Sequence, residues 1–74
     1  MPKYPILKAS EIIRILRILG FEEVRQKGSH KQFKNLFGKN TTVPFHKNRD
    51  ISPILLKQIL KDIDVDLDEF SKYI

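Results

Sequence analysis

Between Arg25 and Arg49 the chain carries seven Lys or Arg residues, both of its histidines and no carboxylate. Inside that stretch lies Lys27-Gly28-Ser29-His30-Lys31-Gln32-Phe33. The fixed cations Arg25, Lys27, Lys31, Lys34, Lys39, Lys47 and Arg49 can hold a polyanion. An imidazole, whose ordinary pKa is about 6.5, can move a proton near neutral pH. Together these side chains suit the binding, and the cutting, of a phosphodiester chain.

Several other chemistries fit poorly. A two-metal nuclease needs converging carboxylates, but Glu11, Glu22, Glu23 and Asp50 are scattered along the chain. The other five acids, Asp62, Asp64, Asp66, Asp68 and Glu69, form a C-terminal run that reads as a solvated face. Two histidines with no cysteine and no nearby Asp pair make a poor zinc set, so neither a metal nor a cofactor is expected. Ser29 beside His30 could pair a nucleophile with a base, yet neighbouring strand residues point to opposite faces.

What remains for an enzyme is strand scission in which the substrate supplies the nucleophile. RNA has one in its 2′-hydroxyl; DNA does not. A histidine that takes that proton, or gives one to the departing 5′-oxygen, contributes about 10²–10⁴-fold. Lys27, Lys31 and the backbone N–H groups near Gly28 would stabilise the charge on phosphorus. Gly28 serves either as a hairpin glycine or as a close approach to phosphate. His30 is either a proton-transfer group or an exposed strand histidine. His46 could contact phosphate, cap the second helix or be exposed. Phe33 and Phe45 are needed in the core, which leaves Phe37 as the candidate platform for a base.

These groups must be positioned by short elements. Ser10, then Ile12, Ile13, Leu16 and Leu19, with Gly20 beyond, predicts a helix capped by Ser10, with Phe21 folding back on Leu16. Alternating stretches at Glu22–Gln26, Ser29–Phe37 and Thr41–His46 predict an antiparallel meander. If Phe33 faces the core, Lys31 and Asn35 share its side, and His30, Gln32 and Lys34 face the other way. Val43 and Phe45 likewise send Thr42 and His46 to the open face, and Pro44 suits an edge strand or a strand end. Ser52-Pro53 starts a second helix whose stripe is Leu55, Leu56, Ile59, Leu60 and Ile63. Asp66 and Glu69 have capping-box spacing for a last turn over Leu67–Tyr73. The expected fold is α+β, in the order α-β-β-β-α: a three-stranded antiparallel sheet with helices on one face, as one domain over residues 1–74.

At 74 residues, such a domain buries only about 60% of its unfolded surface, leaving little apolar surface for a deep pocket. The net charge of +5 is divided: residues 1–61 hold 13 Lys/Arg against 4 Asp/Glu, and residues 62–74 hold 1 against 5. An uncompensated cationic stretch attracts polyanions at rates that fall with salt. Cysteine is absent, no apolar run approaches the roughly 18 residues of a membrane span, and Met1 to Leu7 lacks signal-peptide features. A cytoplasmic protein without membrane partners is expected.

The pattern resembles the HicA family of small toxins, also known as YcfA-like proteins, mRNA interferases that are paired with HicB antitoxins. The likeness runs from Ser10 to Ile63. It rests on the first helix ending at Gly20-Phe21, on Arg25 to Phe33 with its Gly-Ser-His element, on Thr42-Val43-Pro44-Phe45-His46, and on Leu56-Lys57-Gln58-Ile59-Leu60. It implies a double-stranded-RNA-binding-domain-like fold, metal-free RNA cleavage with His30 as the catalytic histidine, and a HicB partner covering the active face. One departure stands out: where the family commonly has Gly-Thr before the second helix, this chain has Asp50-Ile51-Ser52-Pro53.

The leading expectation is therefore a ribonuclease toxin in which His30 is the general acid or base. Lys27, Lys31 and Lys34 bind phosphates, Gly28, Ser29 and His46 contact RNA, and Gln32 steadies the substrate or the imidazole. The alternative is a non-catalytic RNA-binding module that reads A-form shape and 2′-hydroxyls. A third reading makes the basic face a seat for an acidic protein.

Overall fold

The computed structural model describes residues 3–46 and 49–74, so Lys47, counted among the cations above, lies outside the described residues. Its elements in chain order are β1 (Leu7–Lys8), α1 (Ala9–Ile18), β2 (Glu22–Lys27), β3 (His30–Lys34), β4 (Asn40–Pro44), β5 (Asp50–Ile51), α2 (Pro53–Ile63) and α3 (Leu67–Ser71). The α-β-β-β-α order expected from periodicity is present in α1, β2 to β4 and α2. A two-residue pair of strands, β1 with β5, and the short α3 are added to it.

α1 starts earlier than its apparent cap. Its N-cap is Lys8, in extended conformation and without a side-chain cap, so Ser10 lies in the first turn. The reason is non-local. Leu7 and Lys8 pair with Ile51 and Asp50, which keeps the chain extended up to Lys8 and lets the buried Ala9 begin the helix. The other end follows the local rule. Gly20 takes φ 94°, its N–H donates to Arg17 O at 3.1 Å, and the Phe21 N–H donates to Leu16 O at 2.9 Å. That Schellman arrangement turns Phe21 into the core beside Leu16.

The central sheet is antiparallel in the order β2-β3-β4. A two-residue turn, Gly28-Ser29, joins β2 to β3 with Lys27 opposite His30. Gly28 has φ 59° and Ser29 no positive φ, the pattern of a type II′ turn, whose twist matches the strands it joins. β3 stops at Lys34, three residues short of the stretch read from alternation. There the Asn35 side chain accepts from the N–H groups of Phe37 (3.0 Å) and Lys39 (2.8 Å), which competes with the ladder and closes a turn through Gly38 at φ 85°.

One face of this sheet is covered. Phe33 and Val43, both at 0% exposure, join Ile12, Ile15 and Leu16 of α1, Leu56, Ile59, Leu60 and Ile63 of α2, and Phe70 of α3 in one cluster. Burial of each large side chain contributes about 1.5–3 kcal/mol. α2 begins as its sequence predicts: Ser52 Oγ accepts from the Leu55 N–H at 3.1 Å and Pro53 takes the first turn. Asp66 caps α3, accepting from the Glu69 N–H at 2.8 Å.

Asp62 departs from its assignment to a solvated tail. It is half-buried, accepting from Thr41 Oγ1 at 2.9 Å and Gln58 Nε2 at 2.9 Å. Thr41 is the buried polar residue of β4, on the same side as Val43, so its hydroxyl needs an acceptor from α2. Arg14 joins α1 to the C-terminal turn by donating to Glu11 (2.6 Å) and to Tyr73 O (2.5 Å). Its hydrogen bond holds the Glu11 carboxyl below the usual range.

Candidate nucleic-acid interface

β3 is the central strand, and its alternation divides the chemistry. His30 lies between Lys27 on β2 and Pro44 on β4; Gln32 lies between Arg25 and Thr42; Lys34 lies between Glu22 and Asn40. Directly opposed residues share a face, with Cβ atoms about 4.5–5.5 Å apart. The face turned away from the helices therefore carries Arg25, Lys27, His30, Gln32, Lys34 and Thr42. His30, Arg25, Lys27, Lys34 and Thr42 are exposed, and Gln32 is half-buried.

A β-bulge brings Arg25 and Lys27 to that face. The register steps from Glu23 opposite Phe33 to Arg25 opposite Gln32, leaving Val24 as the extra residue of β2. Under strict alternation Glu23, Arg25 and Lys27 would share one side. With the bulge, Glu23 faces the helix side while the two cations face out. Sequence alone shows Arg25 as a cation but not as a residue of this site, because nothing in Glu23-Val24-Arg25 signals an inserted residue.

The bulge also decides the electrostatics. Glu23 accepts from Lys31 Nζ at 3.1 Å and lies 3.9 Å from Arg17. Lys31 Nζ sits 5.0 Å from the Phe45 ring centroid, with its side chain only 20% exposed. Lys31 is thus on the helix side and neutralised, away from His30. Lys39 lies 3.9 Å from Asp64. Among the described residues, no ion pair holds Arg25, Lys27, Lys34 or Arg49. Glu22, opposite Lys34, is the acid of the open face and sits at the end far from His30. Arg25 and Lys27 thus lie toward the Gly28-Ser29 end of the face, away from Glu22.

Ser29 does not pair with its neighbour His30. Its Oγ lies 3.3 Å from His46 Nε2, and its carbonyl accepts from the Phe45 N–H at 2.6 Å. The hydrogen bonds of the described residues include none to the His30 side chain, which stands open to solvent. Gln26 Nε2 donates to Gly28 O at 3.0 Å and steadies the turn. Phe37 is 88% exposed and Leu36 98% at the tip of the β3–β4 turn, whereas Phe33 and Phe45 pack inward. No three His, Asp or Glu side chains converge among the described residues. The groups gathered around the turn are two imidazoles, a hydroxyl and unpaired cations.

The family model for the HicA toxin of bacterial toxin-antitoxin systems matches residues 9–65. The chain belongs to the HicA toxin family. It is accordingly a toxin of a toxin-antitoxin system, a class whose members work against an antitoxin partner. Comparison with curated individual proteins gives no significant match. The matched span of this HicA toxin runs from the start of α1 to just beyond α2 and contains the whole open face. The segment departing from the family's usual Gly-Thr pair has its own structural use: Asp50–Ile51 forms β5 and Ser52 caps α2.

Proposed function

We propose that this HicA toxin is an mRNA interferase, an endoribonuclease that cuts RNA on the open face of β2 to β4 with His30 as general acid or base. The observation that carries the reading is the position of His30. It is an exposed imidazole on the central strand, one residue from a tight turn, opposite Lys27 and near Arg25, and among the described residues no carboxylate pairs with either cation.

In this reading Arg25, Lys27 and Lys34 hold successive phosphates, and Gln32 and Thr42 offer hydrogen bonds between the rows. The N–H groups around the Gly28-Ser29 turn add donors for a non-bridging phosphate oxygen. The substrate's 2′-oxygen attacks phosphorus as its proton leaves, the bond from phosphorus to the 5′-oxygen breaks, and that oxygen acquires a proton. The products are a 2′,3′-cyclic phosphate and a 5′-hydroxyl. The protein supplies proton transfer and charge stabilisation and contributes no nucleophile of its own.

The antitoxin in this account is a HicB-like protein that blocks the same face. A surface on which Arg25, Lys27 and Lys34 face the single acid Glu22 among the described residues favours an acidic partner by charge complementarity. The alternative, a module that binds RNA without cutting it, uses the same cations and makes His30 dispensable. Incubating the toxin with messenger RNA in excess EDTA separates the two. Fragmentation by the wild type, abolished in His30→Ala with binding retained, supports the nuclease; intact RNA that is nevertheless bound supports the module.

A further inference from the structure

The ladder between β3 and β4 continues past its last paired residue. His30 is opposite Pro44, and the Phe45 N–H donates to Ser29 O at 2.6 Å. Phe45 sends its ring to the helix side, under Lys31 Nζ. His46 follows it, exposed, two residues beyond the partner of His30. Residues in that diagonal relation have Cα atoms about 7–8 Å apart, with Cβ atoms somewhat closer. Two imidazoles so placed can reach opposite sides of one phosphodiester group.

His46 is also the oriented histidine of the two. Ser29 Oγ lies 3.3 Å from its Nε2, and the Arg49 N–H donates to its carbonyl at 3.1 Å. A hydroxyl can donate to a bare ring nitrogen or accept from a protonated one. The Ser29 contact therefore survives both protonation states of His46, as required of a group that gains and loses a proton in each cycle. Among the described residues no hydrogen bond engages the other ring nitrogen, Nδ1, which in this arrangement faces the substrate. The residue opposite His30 on β2 is Lys27, and no carboxylate of the described residues pairs with it.

We infer that His46, oriented by Ser29, is the second proton-transfer group of the site, working with His30 as an acid–base pair. This rests on the ribonuclease reading above. As the 2′-oxygen bonds to phosphorus, its proton passes to the neutral imidazole of one histidine. As the bond to the 5′-oxygen breaks, that oxygen takes a proton from the imidazolium of the other. Water later restores both protonation states. Ser29 is a positioning residue, because it touches His46 and not the reacting atoms.

The test is a set of pH–rate profiles on a short RNA with one scissile position, for the wild type and for His30→Ala, His46→Ala, His46→Gln and Ser29→Ala, with binding and thermal unfolding as controls. The wild type gives a bell-shaped profile. His46→Ala falls about 10²–10⁴-fold in kcat and loses one limb, with binding of the RNA retained. His46→Gln, which keeps a hydrogen-bonding group but cannot transfer a proton at this pH, falls equally. Ser29→Ala falls less and keeps both limbs. The same RNA with sulfur in place of the scissile 5′-oxygen needs no proton on its leaving group, so it restores whichever histidine variant lacks the acid and leaves the other impaired. Wild type that leaves the RNA intact overturns the ribonuclease reading itself. An active wild type overturns this inference alone if His46→Ala keeps both limbs, if its loss is in KM, or if His46→Gln restores the rate.

Discussion

Lys27 and Lys31 are four residues apart, carry the same charge, and lie on opposite sides of the sheet. Lys27 is opposite His30, whereas Lys31 donates to Glu23 at 3.1 Å and lies over the Phe45 ring. Replacing each by alanine should therefore change RNA binding in different ways. For single-stranded nucleic acid each neutralised phosphate contributes about 0.7 to the slope of log K against log salt. Between about 50 and about 200 mM salt, one lost contact removes about 0.4 log units of salt sensitivity, or about 2.6-fold. Lys27→Ala should show that reduction. Loss of Arg25, Lys27 and Lys34 together should reduce the slope by about 2, close to 20-fold over the same range. Lys31→Ala should leave the slope unchanged and instead lower stability by about 1 kcal/mol, since Glu23 keeps only its longer 3.9 Å contact with Arg17. The assay is fluorescence anisotropy of a labelled RNA across a salt series, in the His30→Ala background so that the probe stays intact. Equal slope changes for Lys27→Ala and Lys31→Ala would refute the division of the sheet into a covered and an open face.

Two further predictions concern the frame that holds the site. Thr41→Val replaces the buried hydroxyl that donates to Asp62 with a methyl group of similar size; it should cost about 1–2 kcal/mol, read as a melting temperature lower by about 5–15 °C. An unchanged melting temperature would show that the bond between β4 and α2 adds nothing. Gly28→Ala meets open space, so its penalty comes from the positive φ alone and should be about 1–2 kcal/mol. A D-alanine at the same position in a chemically synthesised chain should remove that penalty; equal losses for both forms would contradict the turn geometry.

Local rules carried much of the fold. The stripes of Ile12 with Leu16 and of Leu56, Ile59, Leu60 and Ile63 need only a helical period, and both are buried. Ser52-Pro53, Gly20-Phe21 and Asp66 act through neighbours within a few residues, so their caps were legible. Alternation around Phe33 and Val43 placed His30, Lys34, Thr42 and His46 on the exposed side. The differences arise where distant segments or a side chain overrule the local pattern. Pairing of Leu7–Lys8 with Asp50–Ile51 moved the start of α1, and Asn35 ended β3 early by binding the backbone itself. Thr41 drew Asp62 out of the solvated run. The site divides in the same way. Gly28, Ser29 and His30 are consecutive and visible as a unit. The Ser29–His46 contact and the placing of Arg25 on the face of His30 depend on strand register and on a bulge.

The most direct test of the account is the chemistry of the cut ends. End-labelled single-stranded RNA is incubated in excess EDTA with wild-type toxin and with His30→Ala, and the termini of any fragments are identified. Fragments are expected from the wild type alone, each ending in a 2′,3′-cyclic phosphate with a 5′-hydroxyl on its neighbour. Fragments ending in a 3′-hydroxyl and a 5′-phosphate, or equal cleavage by His30→Ala, would contradict it.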